Sequence, residues 1–197
     1  GGMLSVLDFY LESFSEYHQQ TFHIDPSSFL KPLSRCIPEK SKILDVGCGS
    51  GRDLLWLTER GHEGMGFERS FGLAAIAAEK TGRPLIVGDF ETFDFSRFSM
   101  DALLLVGALV HVPPYRLQGV LHNVLAAVRP GGHVLLTLKE GSGVRVARDG
   151  RVFYLWRHES FSRLFSPCGL RLLEFFRQAS SLKNGDVWLT YVLKTSE

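Results

Sequence analysis

From Lys42 onward, short aliphatic and β-branched runs alternate with segments whose apolar residues recur every three or four positions. That alternation is the pattern of βαβ units around a mostly parallel sheet. Five runs read as strands, at residues 42–46, 63–68, 84–88, 102–106 and 133–139. Helices are predicted over 52–60 and 72–81, each followed by a glycine, Gly61 or Gly82, where a left-handed C-cap would fall. The clearest helix covers 115–128, with Leu117, Val120, Leu121, Val124, Leu125 and Val128 on one face. Pro130-Gly131-Gly132 then predicts a turn into the fifth strand. A short helix near 160–166 precedes two last strands, 170–177 and 187–194, whose polar connection through Asn184-Gly185 reads as a hairpin.

Ahead of the first strand, a helix is predicted around 4–17, then a second opened by Asp25 as N-cap with Pro26 at its first position and disturbed by Pro32. Two β-rich runs, 144–147 and 152–156, flank Arg148-Asp149-Gly150 and read as an inserted hairpin. The expected organisation is a helical cap or lid over 1–41 and one α/β domain over 42–197, with the insertion near 144–156.

Composition narrows the class. A chain of 197 residues, 45% hydrophobic and 22% charged, fits one soluble globular domain. The longest apolar run, 102–112, is interrupted by His111 and falls short of the ~20 residues of a membrane-spanning helix. The first residues lack the basic region and cleavage site of a secretory signal, so no membrane partner and a cytoplasmic location are expected. A net charge of +1 disfavours nucleic acid as partner. Cys36, Cys48 and Cys168 suggest neither disulfides nor zinc, and the seven histidines show no ligand spacing, so no metal is expected. Oligomeric state stays open.

The stretch Ile43-Leu44-Asp45-Val46-Gly47-Cys48-Gly49-Ser50-Gly51-Arg52-Asp53 delivers a buried strand through a glycine-rich turn into a helix. Without Cβ atoms a ligand can approach the backbone, and the helix start offers unpaired N–H groups. The dinucleotide fingerprint would put a third glycine where Arg52 stands, which demotes a nicotinamide cofactor and a dehydrogenase.

Residues 43–51 resemble motif I of the class I S-adenosylmethionine-dependent methyltransferases. Further features follow in that family's order: Glu68 closing the second strand, Gly88-Asp89-Phe90 after the third, Val106-Gly107 after the fourth, and Val128-Arg129-Pro130-Gly131-Gly132 before the fifth. The resemblance covers about residues 42–194. It implies a Rossmann-like, single-domain doubly wound α/β fold: seven strands in the order 3-2-1-4-5-7-6, mostly parallel with the seventh antiparallel, and helices on both faces. It also implies S-adenosylmethionine as cofactor, S-adenosylhomocysteine as product, and a small-molecule methyl acceptor.

By the same resemblance, Asp45 with the turn of Gly47, Cys48 and Gly49 would hold the methionine end, with Arg52 on its carboxylate. Glu68 would accept from the ribose hydroxyls, Asp89 and Phe90 would meet the adenine with Arg69 beside it, and Val106 and Gly107 would line cofactor and acceptor. A sulfonium methyl is already activated, so alignment is the main task left to the protein.

His111 is the candidate general base or acceptor contact, the alternative being a histidine bonded to backbone. Tyr10, Tyr17 and Phe22 are candidates for a lid, the alternative being ordinary amphipathic packing. Six basic residues over 139–163 (Lys139, Arg145, Arg148, Arg151, Arg157, Arg163), with Tyr154 among the flap's aromatics, suggest a flap for an anionic acceptor or else a solvated hairpin. Arg145, Arg157 and Tyr154 are the residues singled out there. Pro113-Pro114-Tyr115 reads as a helix-start turn, and Cys48 and Cys168 as fillers with no nucleophilic role. An RNA or protein methyltransferase, and a non-catalytic S-adenosylmethionine-binding protein, remain the alternative functions.

Overall fold

In the computed structural model, which describes residues 6–197, seven strands form one sheet in the order β3-β2-β1-β4-β5-β9-β8. They are β1 (Lys42–Val46), β2 (Glu63–Glu68), β3 (Leu85–Val87), β4 (Met100–Leu105), β5 (Val128–Lys139), β8 (Leu170–Ala179) and β9 (Val187–Thr195). Strands β6 (Val144–Val146) and β7 (Val152–Tyr154) pair antiparallel as a separate ribbon, the predicted insertion. With those two set aside, the order is the expected one. β1 to β5 run parallel, and β9 lies antiparallel between β5 and β8.

Burial follows the pattern that predicted the strands. Ile43, Leu44, Ala102, Leu103, Leu104, Leu105, Val134, Leu135 and Leu136 are all fully inaccessible, as the central strands of a sheet covered on both faces must be. Helix α4 (Arg52–Glu59) follows β1, α5 (Phe71–Thr81) follows β2, and α6 (Pro114–Leu125) buries Leu117, Val120, Leu121 and Val124. Gly82 caps α5 in the left-handed region at φ +67°, its N–H donating to Ala78 O.

Several expectations are corrected. The helix predicted to reach Val128 ends at Leu125, and Val128 instead pairs with Met100 as the first residue of β5. Pro130-Gly131-Gly132 is not a turn before the strand. It is a bulge inside β5, where the pairing jumps from Met100–Val128 to Ala102–His133 and Gly131 takes φ +72°. Thr195 Oγ1 donates to Arg129 O and Gly131 N donates to Ser196 O, so β9 absorbs the freed backbone groups.

The helix predicted around 4–17 has its start, Leu4, outside the described residues. The rest is two helices, α1 (Val6–Glu12) and α2 (Phe14–Thr21), broken at Ser13. Pro32 lies buried within α3 (Ser27–Ser34) without ending it, and Asp25 Oδ1 accepts from Ser27 N just ahead of that helix. The late helix is a single turn, α7 (His158–Phe161), continued as a 3₁₀ turn over Ser162–Leu164. No helix among the described residues is long and apolar enough to cross a membrane.

Candidate active site

Strand order reverses at β1, whose neighbours are β2 and β4, and the carboxyl ends of these strands open into a cavity of about 680 Å³. The turn after β1 supplies one wall. Gly47, Gly49 and Gly51 take φ of +74°, +57° and +95°, so side chains there would be strained. A Cβ on Gly47 would stand 3.0 Å from Ala108 Cβ, which keeps the turn glycine on packing grounds too.

Glu68, at the end of β2, ties the neighbouring segments together. Its Oε1 accepts from Gly49 N at 2.9 Å and its Oε2 from Ser70 N at 2.8 Å. Burial raises its carboxyl above the ordinary range, while these backbone donors work against that shift. Asp45 is 2% exposed, and its Oδ2 has no hydrogen-bond partner. Burial first, and then the nearby Asp53, hold its carboxyl well above the usual value. Arg52 lies in the wall, its Nε on Asp53 Oδ1 at 2.9 Å.

Of the predicted cofactor residues, Gly47, Cys48, Gly49, Arg52, Glu68, Arg69, Phe90, Val106 and Gly107 line the cavity. Asp45 and Asp89 do not. Asp45 lies behind the turn, and Asp89 faces Arg69 at 3.4 Å while its Oδ1 accepts from Glu91 N. Cys48 is buried, which pushes its thiol up and keeps it from acting as a thiolate.

Helices α1 and α2 form the roof. Tyr10 and Tyr17 line it with their rings 5.1 Å apart, edge to face. Tyr10 O accepts from Ser70 Oγ, and Thr21 O from Arg52 Nη1 at 3.4 Å, so the roof is bonded to the loops that carry the site. Phe22, grouped with these two by sequence, packs on His18 and is not in the wall.

His111 sits where the residues after β4 meet the inserted ribbon. Its Nδ1 lies 2.7 Å from Val152 O; a carbonyl only accepts, so this nitrogen carries the proton. Nε2 is therefore the lone pair, and Tyr10 Oη donates to it at 3.2 Å. Arg151 Nη1 in turn donates to Tyr10 Oη at 3.3 Å. Burial drives the imidazole down to about 4, with Arg151 and Lys139 adding to the shift. His111 thus lines the cavity and is at the same time bonded to backbone. As a base it has its lone pair engaged and its basicity reduced.

The basic flap is arranged differently from its expectation. Arg145 does not line the cavity, because it forks onto Asp186 behind the wall. Arg157 donates to Ser142 Oγ, and Tyr154 is also outside the wall. The basic residues that do enter are Lys139, at the end of β5, and Arg151. Sequence reading counted both among the flap's cations without singling them out, and it did not place Phe153, Trp188 or Thr190 in the wall. Lys139 carried a usable signal, since it ends a strand at the same carboxyl edge as Glu68 and Val106. Trp188 and Thr190 gave none, because the pairing that brings β9 beside β5 is long-range.

Residues 43–132 match the family model described as a methyltransferase domain. Those residues, just under half of the chain, are thus similar to a methyltransferase domain. Among curated relatives, it is 36% identical over 99 residues to a sterol 24-C-methyltransferase of Gibberella zeae, covering 46% of this chain and 26% of that protein. It is 30% identical over 134 residues to the ubiquinone biosynthesis O-methyltransferase of Alkalilimnicola ehrlichii, covering 57% of this chain and 53% of that one. The chain thus spans about a quarter to half of the length of these two relatives. Among solved structures, the 1,6-didemethyltoxoflavin-N1-methyltransferase of Burkholderia thailandensis superposes with TM-score 0.79 at 18% identity, covering 98% of this chain and 88% of that one. A TehB-like methyltransferase of Corynebacterium glutamicum gives TM-score 0.72 at 21% identity, covering 94% and 99%. At these identities the two superpositions bear on the fold.

Proposed function

We propose that the protein transfers a methyl group from S-adenosylmethionine to a small-molecule acceptor bound under the α1–α2 roof. The observation that carries this reading is the glycine turn tied to Glu68 in the cavity wall, at the point where the strand order reverses. In it, residues 1–41 act as the lid and 42–197 as the catalytic domain. S-adenosylmethionine, when bound, supplies a methyl on a positively charged sulfur. The methyltransferase relatives named above, whose acceptors are small molecules by their names, support a small acceptor.

The protein's own part is binding, orientation and exclusion of water. The Gly47–Gly49 backbone and Arg52 would take the methionine end, Glu68 the ribose hydroxyls, and Phe90 with Arg69 the adenine side. Tyr10 and Tyr17 close the roof, and in a water-poor cavity a fixed near-attack geometry is the largest single contribution available. His111 acts as a positioning residue: its proton is on Nδ1, bonded to Val152 O, and its lone pair holds the roof through Tyr10.

Calorimetric titration with S-adenosylmethionine and S-adenosylhomocysteine, beside NAD, tests the reading on wild type and Glu68→Ala. Binding of the first two that is lost in the variant is the expected result. Preference for NAD, or no binding, would overturn it.

A further inference from the structure

The two sides of the cavity wall differ in how their charges are answered. The lining carboxylates Asp53, Glu68 and Glu91 share their side with Arg52, Arg69 and Arg116, of which Arg52 pairs with Asp53 and Arg116 with Glu91, while the opposite wall, built by β5, β9 and the inserted ribbon, contributes Lys139 and Arg151 and no lining carboxylate. These two cations and Arg145 gather round one ring, that of Phe153, at 3.9, 5.2 and 5.6 Å from its centroid. Two carboxylates answer them from behind the wall. Asp186 takes Lys139 Nζ at 2.8 Å and both Arg145 nitrogens, and Asp149 takes Arg151 at 2.9 Å. Three cations against two carboxylates leave one positive charge over.

The same wall carries hydroxyl donors. Thr137 on β5 and Thr190 on β9 are directly paired across the strands, and both line the cavity. Thr137 Oγ1 accepts from Gly107 N at 2.7 Å, which leaves its own proton to donate. Thr190 is fully inaccessible, and its Oγ1 has no hydrogen-bond partner. Trp188, whose ring lies 5.3 Å from Lys139 Nζ, gives this end of the cavity an apolar face.

We propose that the acceptor binds as an anion, its ionised group drawn to Lys139, with Arg151 adding charge from the ribbon and an apolar body resting on Trp188. This rests on the methyl-transfer reading above and names the substrate class of that site. The ionised group is a recognition handle. Neutral isosteres lose the charge that the surplus cation answers, and cationic ones are repelled by it.

The test uses the whole protein, with and without saturating S-adenosylhomocysteine, and three probes of one shape: benzoate, benzamide and benzylamine. Binding is followed by ligand-observed NMR. Benzoate is expected to bind at least tenfold more tightly than the other two. Lys139→Met should abolish that preference. Because Lys139 is part of a buried ion pair, Arg151→Gln serves as the second variant: it removes the ribbon's charge from the wall while the amide can still donate to Tyr10 Oη, so folding is kept while benzoate binding weakens several-fold. Equal binding of the three probes, no benzoate binding, or benzoate binding untouched by both variants would overturn the anionic class. Calorimetry with S-adenosylhomocysteine on the same samples separates the two readings, since its failure would sink methyl transfer while the benzoate result still decides the charge of the site.

Discussion

Tyr10 and His111 stand 101 residues apart in the chain, and the tyrosine hydroxyl donates to the histidine Nε2 at 3.2 Å. The bond joins the roof helix α1 to the segment after β4 that lines the cavity, with Arg151 donating to the same hydroxyl from the inserted ribbon. Three distant segments therefore close over the site through one phenol.

Replacing that phenol tests the roof as a lid. Tyr10→Phe keeps the ring contacts with Phe9 and Tyr17 but removes one hydrogen bond to His111 and one from Arg151. The expected loss is about 1–2 kcal/mol of roof closure. Stopped-flow measurement should show S-adenosylhomocysteine leaving about tenfold faster, with little change in global unfolding. A proportional loss of global stability would mean that the roof is ordinary core.

His111 also makes stability depend on pH. Its folded value of about 4 lies below the ordinary 6.5 because burial disfavours the charged ring. Between these values the unfolded chain binds the extra proton, so stability rises with pH across the window. The contribution is complete above about 6.5 and lost as pH falls toward 4, amounting to at most about 3 kcal/mol. Urea unfolding at several pH values should show this slope, and His111→Gln should flatten it.

A glycine tests the roof without touching the cavity wall. Gly72, in the first turn of α5, carries the ring of Phe14 from α2, and a Cβ there would stand 2.6 Å from Phe14 Cγ. Alanine is the better helix residue by about 0.5–1 kcal/mol. Gly72→Ala should therefore leave the α/β core as stable or slightly more so while pushing α2 outward. Limited proteolysis should cut the variant faster, and only ahead of Ser27. Unchanged cleavage would show that Phe14 simply rotates away.

The fold was readable to a large extent because the hydrophobic pattern and the glycine punctuation agreed, as at Lys42–Val46 and at Gly82. Boundaries failed where one signal had two meanings. Val128 continues the apolar face of α6 and is also a β-branched strand starter; only its pairing with Met100 decides between them. Pro130-Gly131-Gly132 is a turn signal that a bulge can also use. The wall that holds the glycine turn, Glu68 and Phe90 lies on consecutive β–turn–α segments, so local sequence reveals it. The opposite wall is assembled from β5, β9, the ribbon and α1. Its key relations, Lys139 with Asp186 and Tyr10 with His111, span 47 and 101 residues and leave no local trace. The flap was correctly seen as basic, but which of its cations face inward depends on how β6 and β7 pair.

Glu68 combines a structural and a binding role, and an amide tells them apart. Each of its oxygens accepts a backbone N–H, one from the glycine turn and one from the start of α5, and a carboxylate has further lone pairs for a diol. Glutamine would turn an NH₂ toward one of those N–H donors, leaving it unpaired and two donors opposed. Glu68→Gln is expected to cost about 1–3 kcal/mol of stability and to lower S-adenosylhomocysteine affinity at least tenfold. Glu68→Asp keeps the charge but shortens the reach, so it should lose the bond to one of the two segments and bind between wild type and the amide. Thermal unfolding with and without S-adenosylhomocysteine reads both effects: the unliganded midpoint reports the backbone ties, and the ligand-induced shift reports the diol contact. If the amide variant keeps the full ligand-induced shift, Glu68 only braces the turn, and the ribose contact must be sought at another acceptor in the wall.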